Sequence, residues 1–214
     1  MTISEPATLL TDYLLGLLAA TLGWRIVREA IPAPQNAPRL FGWALVATAI
    51  GSFTGGTYHG FGPALDPFAA EMVWKVATLA MGVASFLLTA AMISSSWSGP
   101  LRRWLLAAAG VKLAVYASWM LNHDDFLYVI VEYGSSLLIM SVLLAAKRLK
   151  GTANFDEYLG KGILVSIGAA LIQQSGFRVH RHFNHNDLMH IVQMGAVWLL
   201  YQGGRRLHDA DGRR

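Results

Sequence analysis

The stretch FAAEMVWKVATLAMGVASFLLTAAMI, residues 68–93, decides the fold class of this chain. It is longer than the roughly 20 apolar residues that a helix needs to cross a bilayer. Its two charged residues, Glu71 and Lys75, both lie near its start. Backbone groups in lipid have no water to bond, and a helix satisfies them within a single segment. The stretch therefore predicts a transmembrane helix.

Similar apolar runs lie on both sides of this stretch, and proline or glycine residues separate them. Short connections favour antiparallel packing of sequence neighbours. No Pro- or Ser-rich linker divides the chain, so we predict one all-α membrane domain over residues 1–214. Its seven transmembrane helices are predicted at about 8–28, 40–60, 68–93, 101–121, 126–146, 158–177 and 187–203.

Composition excludes several classes of protein. Of the 214 residues, 54% are hydrophobic and 14% are charged, whereas soluble domains carry about 25% charged residues. The chain has no cysteine, which excludes disulfides and thiolate metal sites. The net charge of +4 is spread over short loops with no basic run interleaved with aromatic residues, so no nucleic-acid partner is expected.

The distribution of basic residues predicts the orientation. Lys and Arg cluster after spans one, five and seven and before span four. These four regions fall on one side of the membrane, which the positive-inside rule makes the cytoplasm. The N-terminal stretch has no basic residue, so it does not fit a secretory signal peptide. We predict a multi-pass protein of the cell membrane, specifically a bacterial inner membrane, with the N-terminus outside and the C-terminus cytoplasmic.

Two histidine strings mark a candidate site. GTYHG, residues 56–60, closes the second span with His59, and HRHFNHNDLMH, residues 180–190, opens the seventh span. The predicted topology places both strings at the outer face. Clustered imidazoles and a carboxylate at the rim of a bundle predict a metal site.

His59 and His190 are the favoured metal ligands, and His185 and Asp187 compete for the third position. Asp187 lies three residues before His190, so the two share a helix face; the alternative role of Asp187 is a helix cap. His180 and His182 are interpreted as exposed loop residues. A histidine-rich, thiol-free site suits Zn²⁺ with one position open for water.

Carboxylates supply the candidate bases for chemistry at this site. Glu71 or Asp187 would orient a zinc-bound water or accept its proton. The structural alternative for Glu71 is an ion pair with Lys75 four residues later. Lys112 and Glu132 lie inside spans four and five, where a charge needs a facing partner, so we expect them to pair. Charged residues inside the membrane also occur in transporters, so a transporter is an alternative function, although the sequence shows no inverted repeat.

The helix number and the placement of these histidines resemble the CREST membrane hydrolases, which include alkaline ceramidases, progestin and adipoQ receptors, haemolysin-III-like proteins and Per1-like lipid remodellers. Their pattern is Ser-x-x-x-His on the second helix, an Asp near the third and His-x-x-x-His on the seventh. His59 and His190 match that pattern, whereas Gly55 and Asn186 stand where the family has Ser and His. The resemblance implies three zinc-binding histidines and hydrolysis of a lipid amide or ester.

The leading hypothesis is therefore a zinc-dependent, ceramidase-like membrane hydrolase acting on an amide or ester bond of a membrane lipid. The alternative is a non-catalytic, receptor-like membrane protein that binds a lipid or a metal. A third interpretation, a haem or quinone protein with axial histidines, fits less well because these histidines lie at a rim.

Overall fold

The computed structural model describes residues 3–32, 35–149, 157–180 and 183–213. Within these ranges the chain forms seven α-helices, which confirms the predicted number of helices and, within a few residues, their bounds. They are α1 (Pro6–Ala30), α2 (Asn36–Phe61), α3 (Pro67–Ser96), α4 (Gly99–Met120), α5 (Phe126–Leu149), α6 (Glu157–Ser175) and α7 (His185–Gly204). Short 3₁₀ turns follow α2 and close the chain, at Gly62–Ala64 and Ala210–Arg213.

A small antiparallel ribbon corrects the prediction of a plain loop between α6 and α7. Strand β1 (Arg178–His180) pairs with β2 (Phe183–Asn184). Strands this short carry no period-2 pattern that a sequence can reveal. His180 lies in β1, and His182 lies outside the described residues.

Six helices form a closed ring. α1 packs against α2 and α7, α3 packs against α2 and α5, and α6 packs extensively against α7 but only sparsely against α5. α4 lies outside this ring and packs mainly against α3. The core of the bundle is therefore enclosed by α1, α2, α3, α5, α6 and α7.

Glycines allow α1 and α2 to cross closely. A Cβ atom on Gly23 would lie 2.7 Å from the carbonyl oxygen of Gly42, and a Cβ on Gly42 would lie 2.9 Å from that of Gly23. Further along α2, a Cβ on Gly56 would lie 2.8 Å from the Cβ of Asp12. Small residues at helix crossings are the usual means of close packing between membrane helices, and here they bring Asp12 against α2.

Four helices are long and apolar enough to cross a membrane, namely Pro6–Ala30, Asn36–Ala64, Pro67–Ser96 and Phe126–Leu149. α4, α6 and α7 are also helical, but each carries more polar residues, such as Lys112 in α4 and Lys161 in α6. Large apolar side chains cover the outside of the bundle, including Trp104, Leu138 and Leu164. An outer surface of this kind is typical of a protein that faces lipid.

The two ends of the bundle differ in chemistry. We call the end that contains His59, His185 and His190 the histidine end, and the opposite end, with Arg39 and Arg102, the basic end. At the histidine end, the Ser4 backbone N–H donates to the Gly60 carbonyl over 3.0 Å, which joins the start of α1 to the end of α2. The alternation of helix direction thus brings His59 and the described part of the second histidine string, with His185 and His190, to one end, as the sequence predicted.

The C-terminal segment closes the basic end. The carboxylate of Asp209 accepts hydrogen bonds from the backbone N–H groups of Asn36 and Ala37, over 2.9 and 2.7 Å, and so caps α2. Asp211 forms an ion pair with Arg102 at 3.0 Å. These contacts tie α2 and α4 to the end of the chain.

Two lysines, the buried Lys75 and the partly exposed Lys112, attach α4 to its neighbours. Lys112 contacts Glu132 at 2.6 Å, which confirms the predicted pair. Lys75 donates to the carbonyl oxygen of Met120 at the end of α4 and pairs with Asp124 at 2.5 Å. The expected Glu71–Lys75 pair is wrong, because Lys75 reaches the C-terminus of α4, where a cation meets free carbonyl groups and the negative end of the helix dipole.

Candidate functional site

A cavity of about 540 Å³ lies inside the ring of six helices. Its volume falls within the range of about 300–1,000 Å³ that is common for small-molecule sites. Among the described residues, its lining comes from every helix except α4. Leu15, Ala77, Val129, Leu137 and Ala169 belong to its apolar wall, and the polar lining includes Asp12 and the three histidines of the histidine end.

A buried chain of polar contacts joins α1 to α7 at the polar part of the cavity. His190 Nδ1 lies 3.0 Å from Thr11 Oγ1, and His190 Nε2 lies 3.2 Å from Asp12 Oδ1. Asp12 and His190 are 5% and 6% exposed. Both ring nitrogens of His190 are therefore engaged by α1.

The directions of these contacts depend on the tautomer of His190. The Thr11 hydroxyl has one proton, which it donates to the helix carbonyls of Ala7 or Thr8 or to His190 Nδ1. In either case the contact between His190 Nε2 and the Asp12 carboxylate requires a proton on one of the two groups. Although Thr11, His190 and Asp12 lie in the order of a catalytic triad, Thr11 does not line the cavity, and a nucleophile must reach substrate.

Asp187 links the start of α7 to α1. Its Oδ1 accepts from the Thr8 hydroxyl over 2.8 Å, and its Oδ2 accepts from the Asn184 backbone N–H over 2.7 Å. Asn184 is the N-cap of α7, and Asp187 completes its capping box. Asp187 is thus a structural carboxylate with both oxygens bonded.

His59 separates the main cavity from a smaller one. Its Nδ1 lies 3.3 Å from Glu5 Oε2, and the Ser4 hydroxyl donates to its carbonyl oxygen. His59 lines the main cavity and also a second cavity of about 280 Å³ bordered by Ser4, Glu5 and Tyr58. The segment before α1 therefore covers the histidine end next to His59.

Three buried polar atoms in the cavity wall lack a hydrogen-bond partner within the part of the chain that the structure describes. They are Nδ1 of His185, Oδ1 of Asn186 and Oε1 of Gln173, and all three residues line the main cavity. A buried polar group without a partner costs about 1–3 kcal/mol. Because the three residues line one cavity, this part of the wall carries polar side chains that suit a polar group of a ligand.

The cavity reaches the outer surface between α5 and α6. Ile167 and Leu171 of α6 line the cavity and are 43% and 68% exposed. Gly134 of α5 also lines it and is exposed. Since α5 and α6 pack only sparsely, this gap gives the cavity a lateral opening.

The structure brings together most of the candidate site residues from the sequence, but not all of them. His59, His185 and His190 line the cavity, whereas Asp187 is not part of its lining and bonds Thr8 on α1. Glu71 is exposed and does not line the cavity. His123 stacks on Trp119 with ring centroids 3.8 Å apart, outside the cavity lining.

Sequence reasoning missed the contribution of α1. Asp12, Thr8 and Thr11 are not among the candidate site residues that the sequence suggested. Asp12 stands inside an apolar span, and an ionisable residue at such a position is by itself a reason to expect a functional site. That signal was available from the sequence.

The zinc that the CREST resemblance implies requires donor atoms with free lone pairs that converge on one point. His190 Nδ1 and both oxygens of Asp187 are already hydrogen-bonded, and His190 Nε2 lies 3.2 Å from Asp12 Oδ1. Among the described residues, no three His, Asp or Glu side chains form a group that could hold a metal ion. The residues in this arrangement do not fit zinc.

Fold and site together define a helical bundle with a laterally open, largely apolar cavity that ends in a buried acid–histidine cluster. The chain belongs to DUF6962, a family of unknown function, which matches residues 7–209. No curated protein and no solved structure matches the chain.

Proposed function

We propose that this protein is an integral membrane protein that binds a single-chain amphiphile in the cavity between its helices. The apolar wall would hold the hydrocarbon chain, and the histidine end would hold the polar head. The observation that carries this proposal is the combination, in one cavity of about 540 Å³, of an apolar wall with unpartnered polar atoms of His185, Asn186 and Gln173.

The outer surface supports a location in a membrane. Four helices have the length and hydropathy of membrane spans, and exposed Trp, Leu and Val side chains surround the bundle. α4, α6 and α7 would cross with the others because they belong to the same bundle. Following the positive-inside rule, we propose that the basic end lies in the cytoplasm and the histidine end lies outside the cell. The membrane would be the inner membrane of a bacterium, as expected from the sequence.

The gap between α5 and α6 supports entry of the ligand from the bilayer. An amphiphile that enters sideways keeps its chain in an apolar environment throughout, so it does not have to cross water. The exposed apolar residues at the gap, Ile167 and Leu171, would contact the lipid tails directly. A soluble ligand has no need of such an opening.

Filling the cavity tests the proposal. Gly55 lines the cavity, and an added Cβ would meet only Asp12 Oδ2, at 3.8 Å. We expect Gly55→Leu to abolish binding of a fluorescent single-chain lipid to the purified full-length protein. The matched control is Gly195→Leu on α7, which does not line the cavity and whose Cβ would meet nothing within 4 Å. Equal binding by both variants would contradict the proposed cavity.

The second candidate is the zinc-dependent hydrolase of a lipid amide or ester. The observation that favours it is the gathering of Asp12, His59, Asp187 and His190 near one end of a lipid-sized cavity. It requires these side chains to leave their present hydrogen bonds. Stoichiometric zinc in the purified protein, lost in His59→Ala, together with turnover of a lipid amide or ester, would support it. Protein that binds lipid but neither holds zinc nor turns lipid over would remove it.

A further inference from the structure

We infer that the head group bound at the histidine end is uncharged or cationic and carries hydrogen-bond donors, so that the site discriminates against carboxylates and phosphates. This inference rests on the proposed function and names its ligand class. Two independent observations support it: the charges around the cavity and the chemistry of the unpartnered atoms.

The described residues that line the cavity include no lysine and no arginine. The acidic groups at or beside the polar end are Glu5, Asp12 and Asp187, and the imidazoles are those of His59, His185 and His190. Even with all three imidazoles protonated, three carboxylates bring the local charge only to zero. An anionic head would therefore enter a poorly hydrated site that offers no net positive charge.

Two basic residues of the described chain, Lys75 and Arg178, do not change this balance. Lys75 is held by Met120 and Asp124 at the end of α4, and it does not line the cavity. Arg178 is exposed in β1 and is also absent from the cavity lining. Recognition of phosphate or carboxylate in proteins depends on arginine, lysine or grouped backbone N–H donors. The described cavity wall has no arginine or lysine, and the backbone N–H of Asn186 at the start of α7 is already bonded to the Asn184 side chain.

The unpartnered atoms of the cavity wall include hydrogen-bond acceptors that a donor on the ligand would satisfy. Asn186 Oδ1 and Gln173 Oε1 are acceptors without a partner among the described residues, so a ligand that engages them must supply an N–H or O–H group. His185 Nδ1 accepts or donates according to its tautomer. A hydroxyl, an amide N–H or an ammonium group satisfies these acceptors, whereas a carboxylate or phosphate dianion has no proton to give.

The experiment compares three ligands that share one hydrocarbon chain: oleyl alcohol, oleylamine and oleate. Their binding to the detergent-solubilised full-length protein is measured by competition against a fluorescent single-chain lipid at neutral pH. We expect the alcohol and the amine to compete at least about tenfold more tightly than oleate, which corresponds to one lost hydrogen bond to a buried group. Oleate that competes as well as the alcohol would overturn the head-group inference and leave the proposed function standing. Failure of all three ligands would overturn the proposed function itself.

A variant pair locates the effect. Gln173→Leu removes one unpartnered acceptor, and we expect it to weaken oleyl alcohol binding about tenfold while leaving oleate unchanged. Gln202→Leu, near the other end of α7 and outside the cavity lining, is the matched control and should leave both affinities unchanged. Parallel losses of alcohol and oleate binding in Gln173→Leu would contradict a donor-specific contact at this residue.

Discussion

At the scale of single residues, the contact between Asp12 and His190 has the greatest structural consequence. It lies between α1 and α7, the two helices whose junction closes the ring. Removal of one member of such a buried pair leaves the other unpaired, and that penalty exceeds the net value of the contact. The contact therefore specifies how α1 and α7 meet more than it adds to stability.

Replacement of Asp12 tests this role. We expect Asp12→Leu to lower the free energy of unfolding by about 3 kcal/mol, because His190 Nε2 would be left buried without a partner. Unfolding by SDS titration followed by circular dichroism measures the effect. Glu71→Leu, which alters an exposed carboxylate of α3, is the matched control and should change stability by less than about 0.5 kcal/mol. Equal losses in both variants would show that Asp12 has no special role in the α1–α7 junction.

At the scale of elements, α4 and α5 differ from the rest of the bundle in how they are held. α4 packs mainly against α3, and polar side chains add to its attachment through Lys75 and the Lys112–Glu132 pair. Glu132 and Ser85 extend that pair into a network between α5 and α3. α5 in turn leaves the gap beside α6, because these two helices pack sparsely.

The Lys112–Glu132 pair gives a prediction about α4. Glu132 is the more buried partner, with a side chain 9% exposed against 27% for Lys112. We expect Lys112→Met to destabilise the protein by about 3 kcal/mol, because Glu132 keeps an uncompensated charge. Glu132→Met should cost less, since the long lysine side chain reaches the surface.

The double variant Lys112→Met/Glu132→Met should be more stable than Lys112→Met alone, because no buried charge remains. A double-mutant cycle of unfolding free energies measures the coupling between the two residues. Additive losses in the cycle would contradict direct coupling of the two charges.

The gap between α5 and α6 gives a prediction about ligand entry. A side chain on Gly134 meets no atom within 4 Å of its Cβ, so the fold accepts a large residue there. We expect Gly134→Phe to slow association of a fluorescent lipid at least about tenfold with little change in melting temperature. Gly110→Phe on α4, another glycine with free space and no part in the cavity lining, is the control. Unchanged association in Gly134→Phe would place the entrance elsewhere.

At the scale of the whole molecule, the sequence predicted what repeats along the chain and missed what depends on packing. The seven helices follow from apolar runs between breakers, and their alternating direction brings His59 and His190 to one end. The cavity does not follow from these patterns, because it depends on which faces meet inside the ring. Asp12 was missed although its place inside an apolar span was visible in the sequence. The Glu71–Lys75 pair was wrong because Lys75 bonds Met120 at the end of α4 and Asp124 in the loop beyond it.

The asymmetry between the two ends predicts the orientation of the whole bundle. The chain has no native cysteine, so single cysteines report accessibility without a background. Asp125→Cys places a thiol in the exposed loop before α5 at the histidine end, and Arg103→Cys places one on the exposed first turn of α4 at the basic end. By the positive-inside rule, we expect a membrane-impermeant maleimide to label Asp125→Cys in intact cells and Arg103→Cys only after the cells are opened. A permeant maleimide should label both and serves as the control for reactivity. The reverse pattern would invert the orientation, and labelling of both variants in intact cells would contradict a bundle whose two ends lie on opposite sides of the membrane.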